Sequence, residues 1–132
     1  MSIPGIGSLD GTGLKFEILA NDDYVLKSIT IDTSTRDSGN TTTTDLRRGL
    51  LLCPDSDAGN RYIVANHADG SQDLSEAVVL AENIYGIDDG NHTAAAFWRC
   101  TLKNGRLIDP NSSIGQAALA IPASRLLIDV NV

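Results

Sequence analysis

The sequence predicts a mainly β protein, with a small β-barrel or sandwich-like body, one short C-terminal helix and an extended N-terminal arm. Three observations indicate this fold class. Apolar and polar residues alternate in several short segments, turn residues separate these segments, and only one segment has a helical pattern. The length of 132 residues fits one body plus an arm. We expect the arm and a polar linker at residues 1–45 and the β-rich body at residues 46–132.

The predicted arm contains two segments in which apolar and polar residues alternate. Residues 14–18 and 25–31 have this pattern, which is typical of half-buried strands. Residues 32–45 are polar and rich in threonine, so we interpret them as a linker that cannot form a core. Because two strands are too few to be stable alone, we expect the arm to become ordered on a partner. Its expected partner-binding side chains are Leu14, Phe16, Ile18, Val25, Ile29 and Ile31.

The predicted body begins with an apolar run that ends at Pro54. Two further apolar segments are bounded by turn residues, which indicates buried strands. Asn104-Gly105 favours a type I′ turn, and therefore a hairpin between the alternating segment before it and the short apolar segment after it. The expected strands of the body are 46–53, 62–65, 77–85, 94–103, 106–108 and 126–132.

One segment near the C-terminus has the pattern of a short helix. Ser113 and Gln116 have the spacing of a capping box, a mostly apolar segment follows them, and Pro122 ends the pattern. The alternation in residues 126–132 then predicts a final strand that pairs with the sheet.

The charge of the chain restricts the class of partner. The formal net charge is −7 at pH 7, and a surface of that sign repels phosphate, so nucleic acid is excluded as a partner. The first residues lack the basic and apolar regions of a secretion signal, and no apolar run reaches the roughly 18 residues that a membrane span needs. We therefore expect a soluble, cytoplasmic product that has no membrane partner.

The two cysteines, Cys53 and Cys100, each lie among apolar residues. In a reducing compartment this favours buried free thiols. A disulfide between them is the alternative if their strands are neighbours.

The residues that could support catalysis or metal binding lack the required spacing. His67 and His92 are the only histidines, and neither has a second histidine at metal-binding distance along the chain. Asp55 and Asp57 resemble the start of a calcium loop, but Asn66 stands where the bidentate glutamate is needed. We therefore expect a solvated turn at Asp55, no cofactor, no metal site and no enzymatic activity.

Arg47-Arg48 is the one dense positive segment of the sequence. At the start of a strand, such a pair is more often solvated than bound to an anion. The alternative is that Arg47 and Arg48 contact an acidic surface of a partner.

Three segments resemble the head decoration (capsid cement) proteins of tailed phages. Residues 45–52 read Asp-Leu-Arg-Arg-Gly-Leu-Leu-Leu, and the body of these proteins commonly begins with leucine, two basic residues or a basic residue and alanine, glycine and an apolar strand. Residues 77–84 are similar to a family strand that often contains valine, leucine, alanine and an acidic residue, and the hairpin of residues 94–107 follows. The resemblance covers about residues 14–108 and leaves the C-terminal helix and strand without a counterpart.

The resemblance implies a virion structural protein without catalytic residues or cofactors. It implies a small barrel that forms trimers at local threefold positions on the outer surface of an expanded capsid, and an arm that grips the major capsid protein. Such a protein would be made in the cytoplasm of the host bacterium. Two alternatives are another virion or assembly subunit, such as a tail or adaptor protein, and a small ligand- or carbohydrate-binding β domain.

Overall fold

A computed structural model describes residues 17–113, 125–129 and 131 of the chain. The described part is mainly β, as the sequence predicts. Its strands are β1 (Val25–Ile31), β2 (Leu51–Asp55), β3 (Arg61–Val64), β4 (Val78–Leu80), β5 (His92–Lys103) and β6 (Leu126–Asp129). Three short 3-10 turns connect them, at Ser56–Ala58, Leu74–Glu76 and Ile87–Asp89.

The six strands form one mixed sheet in the order β1-β3-β2-β4-β5-β6, and β1 also pairs with β5. The pairings therefore run from β1 through the sheet and back to β1. Most of them are antiparallel, while β1 with β3 and β5 with β6 are parallel. β5 is the longest strand, and its two ends pair with different neighbours. Its first part pairs with β1 and β4, and its last residues pair with β6.

Two apolar clusters form the core, because successive side chains of a strand point to opposite faces of the sheet. On β2, Leu52 belongs to one cluster, whereas Leu51 and Cys53 belong to the other. The isoleucine cluster contains Ile29, Ile31, Leu46, Leu50, Leu52, Tyr62, Val78, Leu80, Ile84, Ile87, Ala94 and Ala96. The cysteine cluster contains Ile18, Leu19, Leu51, Cys53, Ala65, Leu74, Ala77, Val79, Ala81, Phe97, Cys100, Leu102 and Leu126.

Strand β1 has the predicted bounds, but it does not belong to a separate arm. It pairs antiparallel with β5 from Val25↔Arg99 to Ile31↔His92, and the side chains of Ile29 and Ile31 are buried in the isoleucine cluster. The prediction of an extended arm is therefore wrong for this strand. The reason is that its partner strand is supplied by the same chain, so its apolar face is covered without another protein.

The polar segment after β1 is held against the body by hydrogen bonds. The backbone N–H of Ile87 donates to the carbonyl oxygen of Thr44 at 2.9 Å, which joins the segment to the body, and within the segment the backbone N–H of Asp37 donates to the carbonyl oxygen of Thr43 at 2.9 Å. The side chains of Thr35 and Asp37 are buried. A polar segment can be buried when its donors and acceptors are paired, and composition alone did not reveal this pairing.

The predicted strand at residues 46–53 differs from β2 at both ends. Before β2, Leu46 and Leu50 form only isolated bridges, with Ile84 and Ile108. At its other end β2 continues through Pro54, which pairs with Tyr62 of β3. β2 pairs with β4 only at residues 51 and 52. Pro54 lies beyond these pairs, so its missing N–H does not interrupt hydrogen bonding between β2 and β4.

Three further sequence predictions have different outcomes. β5 confirms the alternating segment, but the turn at Asn104-Gly105 is not type I′, because only Gly105 has a positive φ. Ile108 then pairs with Leu50 instead of returning along β5, so the predicted hairpin is wrong. β6 confirms the C-terminal strand over 126–129, and the predicted helix lies outside the described residues.

Candidate partner-binding surface

Three arginines surround one shallow depression of about 250 Å³ on the surface of this acidic protein. Two of them, Arg47 and Arg48, precede β2, and the third, Arg106, follows β5. The depression is lined by Glu17, Ile18, Arg47, Arg48, Asn83, Gly105, Arg106 and Ile108. Three of the described residues that line it are thus arginines, although the chain as a whole is negative.

Gly49 brings these arginines together. Its φ is +102°, and a Cβ atom at this position would lie 2.6 Å from the backbone carbonyl oxygen of Arg106. Only glycine allows this close backbone approach. The backbone N–H of Ile108 donates to the carbonyl oxygen of Gly49 at 2.9 Å, and that of Leu51 donates to the carbonyl oxygen of Ile108 at 2.9 Å. The segment that carries Arg106 is thus fixed beside the segment that carries Arg47 and Arg48.

Arg47 is held by an internal carboxylate. Its Nε and Nη2 donate to the two oxygens of Asp37 at 2.7 and 2.8 Å, and its backbone N–H also donates to Asp37, at 3.2 Å. The Asp37 side chain is fully buried, while that of Arg47 is 40% exposed. The hydrogen bond to Asp37 raises the pKa of the Arg47 guanidinium. Arg47 therefore anchors the polar segment, and it is also one of the residues that line the depression.

Arg48 and Arg106 also line the depression. The backbone N–H of Arg48 donates to Oδ1 of Asn83 at 2.8 Å, which fixes its main chain, and its side chain is partly exposed. Arg106 is exposed, and its side chain makes no hydrogen bond or ion pair with the part of the chain that the structure describes. The sequence prediction included Arg47 and Arg48 but missed Arg106, because the approach to Gly49 that brings it near is not visible in the sequence.

Three of the six residues predicted to bind a partner through the arm are part of the core. Ile18 is buried in the cysteine cluster, and Ile29 and Ile31 are buried in the isoleucine cluster, so these three side chains are not available to another protein. This corrects the prediction for them. Val25 is exposed at the start of β1. The remaining two arm residues, Leu14 and Phe16, lie outside the described residues.

Several large apolar side chains are exposed on the described surface. Leu127 and Ile128 lie on β6, which pairs only with β5 among the described residues. Leu26 and Val25 are exposed at the start of β1, and Tyr85 is exposed before the turn that follows β4. Scattered apolar residues are normal on protein surfaces, but adjacent ones on an edge strand are suited to contact with another chain.

Trp98, the single tryptophan, lies near two positively charged groups. Nζ of Lys27 is 4.8 Å from the centre of its ring, and Cζ of Arg125 is 3.5 Å from it. Lys27 also donates to the hydroxyl of Tyr62 at 3.1 Å, and Arg125 donates to the carbonyl oxygens of Ser75 and Trp98. Burial lowers the pKa of Arg125. These contacts fasten the start of β6 to the rest of the sheet.

The histidines and the aspartates near Asp55 have structural partners. His67 is exposed and its backbone N–H donates to Oγ of Ser113, while Nδ1 of His92 lies 3.3 Å from the carbonyl oxygen of Gly90. Asp55 accepts hydrogen bonds from the backbone N–H of Asp57 and from a serine hydroxyl, so it caps a 3-10 turn. Within the described ranges, no group of three or more His, Cys, Asp or Glu side chains could hold a metal ion.

Cys53 and Cys100 are buried free thiols in the same cluster, as the sequence predicts. Burial raises the pKa of both thiols to about 12. The Sγ of Cys53 also lies 2.8 Å from Oε1 of Gln72. Because the thiolate is the reactive form, neither cysteine is suited to nucleophilic chemistry in the folded protein.

None of the helices in the described residues is both long and apolar enough to cross a membrane. Neither a scan against protein-family models nor a search of curated proteins gives a match for this chain.

Proposed function

We propose that this chain is a virion structural protein that decorates and stabilises the outer surface of a phage capsid by binding the major capsid protein. It carries out no reaction and needs no cofactor or metal. It is made in the cytoplasm of the host bacterium and functions on the virion. The acidic charge suits an exterior surface, because negative surfaces are repelled by packaged nucleic acid.

The observation that carries the proposal is the arrangement of the segments that resemble decoration proteins. These segments contribute β2, β4 and β5, which are consecutive neighbours in the sheet. Leu46 pairs with Ile84, Leu51 with Val79, and Val79 with Phe97. The resemblance therefore involves residues that pack together as the centre of one fold, and not three unrelated surface segments.

The ring of pairings from β1 through β3, β2, β4 and β5 back to β1 supports a small barrel as the body, with β6 attached outside the ring. Side chains from all five of these strands belong to the isoleucine cluster, as expected for the filled interior of a small barrel. In this arrangement the cysteine cluster is a second layer, which the segment before β1 and strand β6 cover.

The proposed contacts combine self-association with binding to the capsid. Leu127 and Ile128 on the edge strand β6 are suited to contacts between subunits of a trimer, and Val25 to contact with the capsid. Leu14 and Phe16 are proposed to contribute to the capsid grip. Many modest contacts made together give strong attachment, because each contact raises the effective concentration of the next.

A co-sedimentation experiment tests the proposal. The purified chain is mixed with expanded capsids of the phage that encodes it, and unexpanded capsids serve as the control. We expect saturable binding to expanded capsids and, by electron microscopy, density with threefold symmetry on the outer surface. Absence of binding to expanded capsids, or density only at the tail or portal, would contradict the proposal and favour another virion or assembly subunit.

A further inference from the structure

The turn after β5 joins an asparagine to a glycine on the surface of the protein. Asn104 is one of nine asparagines in the chain and the one that is followed by glycine. In this turn the backbone N–H of Arg106 donates to the carbonyl oxygen of Lys103 at 3.1 Å. Asn104, Gly105 and Arg106 are all exposed. The side-chain amide of the asparagine and the backbone nitrogen of the glycine are therefore accessible to water.

These two groups are not engaged by the part of the chain that the structure describes. The Asn104 side chain makes no hydrogen bond with that part, and the backbone N–H of Gly105 has no acceptor in it. Asn83 is different, because its Oδ1 accepts a hydrogen bond from the backbone N–H of Arg48 at 2.8 Å. The residue after it, Ile84, also has a branched side chain beside its nitrogen. An asparagine that is free to react is thus followed by a free glycine nitrogen in this turn.

Gly105 provides the freedom that a reaction between these groups needs. Its φ is +78°, and a Cβ atom added at this position would meet no heavy atom within 4 Å outside the adjacent residues. Glycine has no side chain to crowd its own nitrogen, and it changes its backbone dihedrals at low cost. The Asn104 side chain and the Gly105 nitrogen can therefore approach each other without displacing the rest of the fold.

We infer that Asn104 is a site of spontaneous deamidation. The backbone nitrogen of Gly105 loses its proton to hydroxide and attacks Cγ of Asn104, so that a C–N bond forms in a succinimide ring. The bond from Cγ to the side-chain nitrogen breaks, and that nitrogen takes a proton from water and leaves as ammonia. Water then opens the ring at either carbonyl carbon, which gives aspartate or isoaspartate. Both products add a carboxylate next to Gly105 and Arg106, which line the depression.

Isoaspartate also lengthens the main chain, because the peptide bond then runs through the side chain of the residue. The segment that follows is closely fitted, since a Cβ atom on Gly49 would lie 2.6 Å from the carbonyl oxygen of Arg106. The backbone N–H of Ile108 donates to the carbonyl oxygen of Gly49 at 2.9 Å. The isoaspartate product therefore weakens these contacts, whereas the aspartate product keeps the original main chain. This inference does not rest on the proposed function, because it concerns the isolated chain.

Ageing of the purified full chain at pH 8 tests the inference, with the conversion followed by mass spectrometry of the intact chain and of its peptides. We expect an acidic species whose added carboxylate maps to Asn104, while Asn83 remains an amide. Asn104→Gln and Gly105→Ala should each convert at least about tenfold more slowly, because glutamine needs a larger ring and alanine crowds the attacking nitrogen. The rate should rise with pH, since that nitrogen must lose its proton.

Ageing in urea separates the reactivity of the dipeptide from the effect of the fold. Conversion of the folded chain more than about tenfold slower than in urea would overturn the inference, because the fold would then protect the turn. Equal conversion of Asn83 and Asn104 in the folded chain would also overturn it. The acidic species, purified by ion exchange, should melt at a lower temperature than Asn104→Asp, which has the same charge and the original main chain. Equal melting temperatures would overturn the inferred effect of isoaspartate on the contacts of Gly49.

Discussion

Three arginine–aspartate pairs allow the effect of burial on an ion pair to be measured within one protein. In each of them an arginine nitrogen lies 2.7 Å from a carboxylate oxygen, and the arginine side chains are 40%, 39% and 47% exposed for Arg47, Arg61 and Arg99. Their carboxylates differ, since the partner side chain is 0%, 10% and 74% exposed, respectively. Replacing each arginine with alanine removes a similar amount of side-chain packing, so the differences report on the carboxylate that remains.

The expected losses of unfolding free energy follow from what happens to that carboxylate. Arg47→Ala leaves the buried Asp37 without its two side-chain donors, and we expect a loss of about 3 kcal/mol, near the lower limit for breaking a buried pair. Arg61→Ala leaves Asp32 with its bonds from Ser34, so we expect about 1 to 2 kcal/mol. Arg99→Ala leaves an exposed carboxylate, and we expect less than about 1 kcal/mol.

Urea unfolding at pH 7, followed by the fluorescence of Trp98, measures all three variants. A second change tests the physical reason, since Asp37→Asn in the Arg47→Ala background removes the unpaired buried charge and should recover part of the lost stability. Equal losses for Arg47→Ala and Arg99→Ala would refute the reasoning. So would a double variant that is less stable than Arg47→Ala alone.

Three further predictions concern a glycine, an acidic group and the thiols. Gly49→Ala should lower the free energy of unfolding, measured in a urea melt, by at least about 2 kcal/mol, because the added Cβ would meet the carbonyl oxygen of Arg106. Gly105 also has a positive φ but has open space around it, so Gly105→Ala should lower this free energy by about 1 kcal/mol. Equal losses for the two variants would contradict this. The hydroxyl of Ser34 is the main cause that lowers the pKa of Asp32, so the charged carboxylate stabilises the fold above about pH 4 and does so less as the pH falls further. Ser34→Ala should therefore weaken the dependence of the free energy of unfolding on pH. An unchanged dependence would contradict this role of Ser34. Both cysteines should resist a thiol reagent at pH 8 until denaturant is added, and rapid labelling of the folded chain would disprove their burial.

The sequence predicted individual strands better than their partners. The bounds of β1 and most of β5 follow from alternation, because that pattern reports which side chains share a face. Alternation does not reveal the strand that covers the face. The antiparallel pairing of Lys27 with Ala96 joins residues far apart in the chain, and local patterns carry no signal for it. The N-terminal segment therefore looked like an arm that needs another protein.

The candidate site was predicted only in part for a related reason. The adjacent arginines Arg47 and Arg48 are visible in the sequence, whereas Arg106 becomes their neighbour through a backbone contact with Gly49. A glycine between an arginine pair and a leucine run is a weak signal by itself. The buried pair of Asp37 with Arg47 was missed as well, because a polar, threonine-rich segment usually indicates solvent exposure.

The role of β1 can be tested by one substitution in its buried face and one in its exposed face. Ile31 is fully buried and pairs with both Tyr62 and His92, so Ile31→Ala should lower the free energy of unfolding by about 2 to 5 kcal/mol. Thr30 is exposed on the same strand, and Thr30→Ala should change the free energy of unfolding by no more than about 1 kcal/mol.

Deletion of residues 1–45 should have a larger effect, because it removes β1 and exposes the side chains of the isoleucine cluster that β1 covers. Since small domains are stable by only about 5 to 15 kcal/mol, the shortened chain should lose its cooperative melt. A shortened chain that still melts cooperatively, together with a negligible effect of Ile31→Ala, would show that residues 46–132 form the whole folded body. In that case the segment before them would be free to grip a partner.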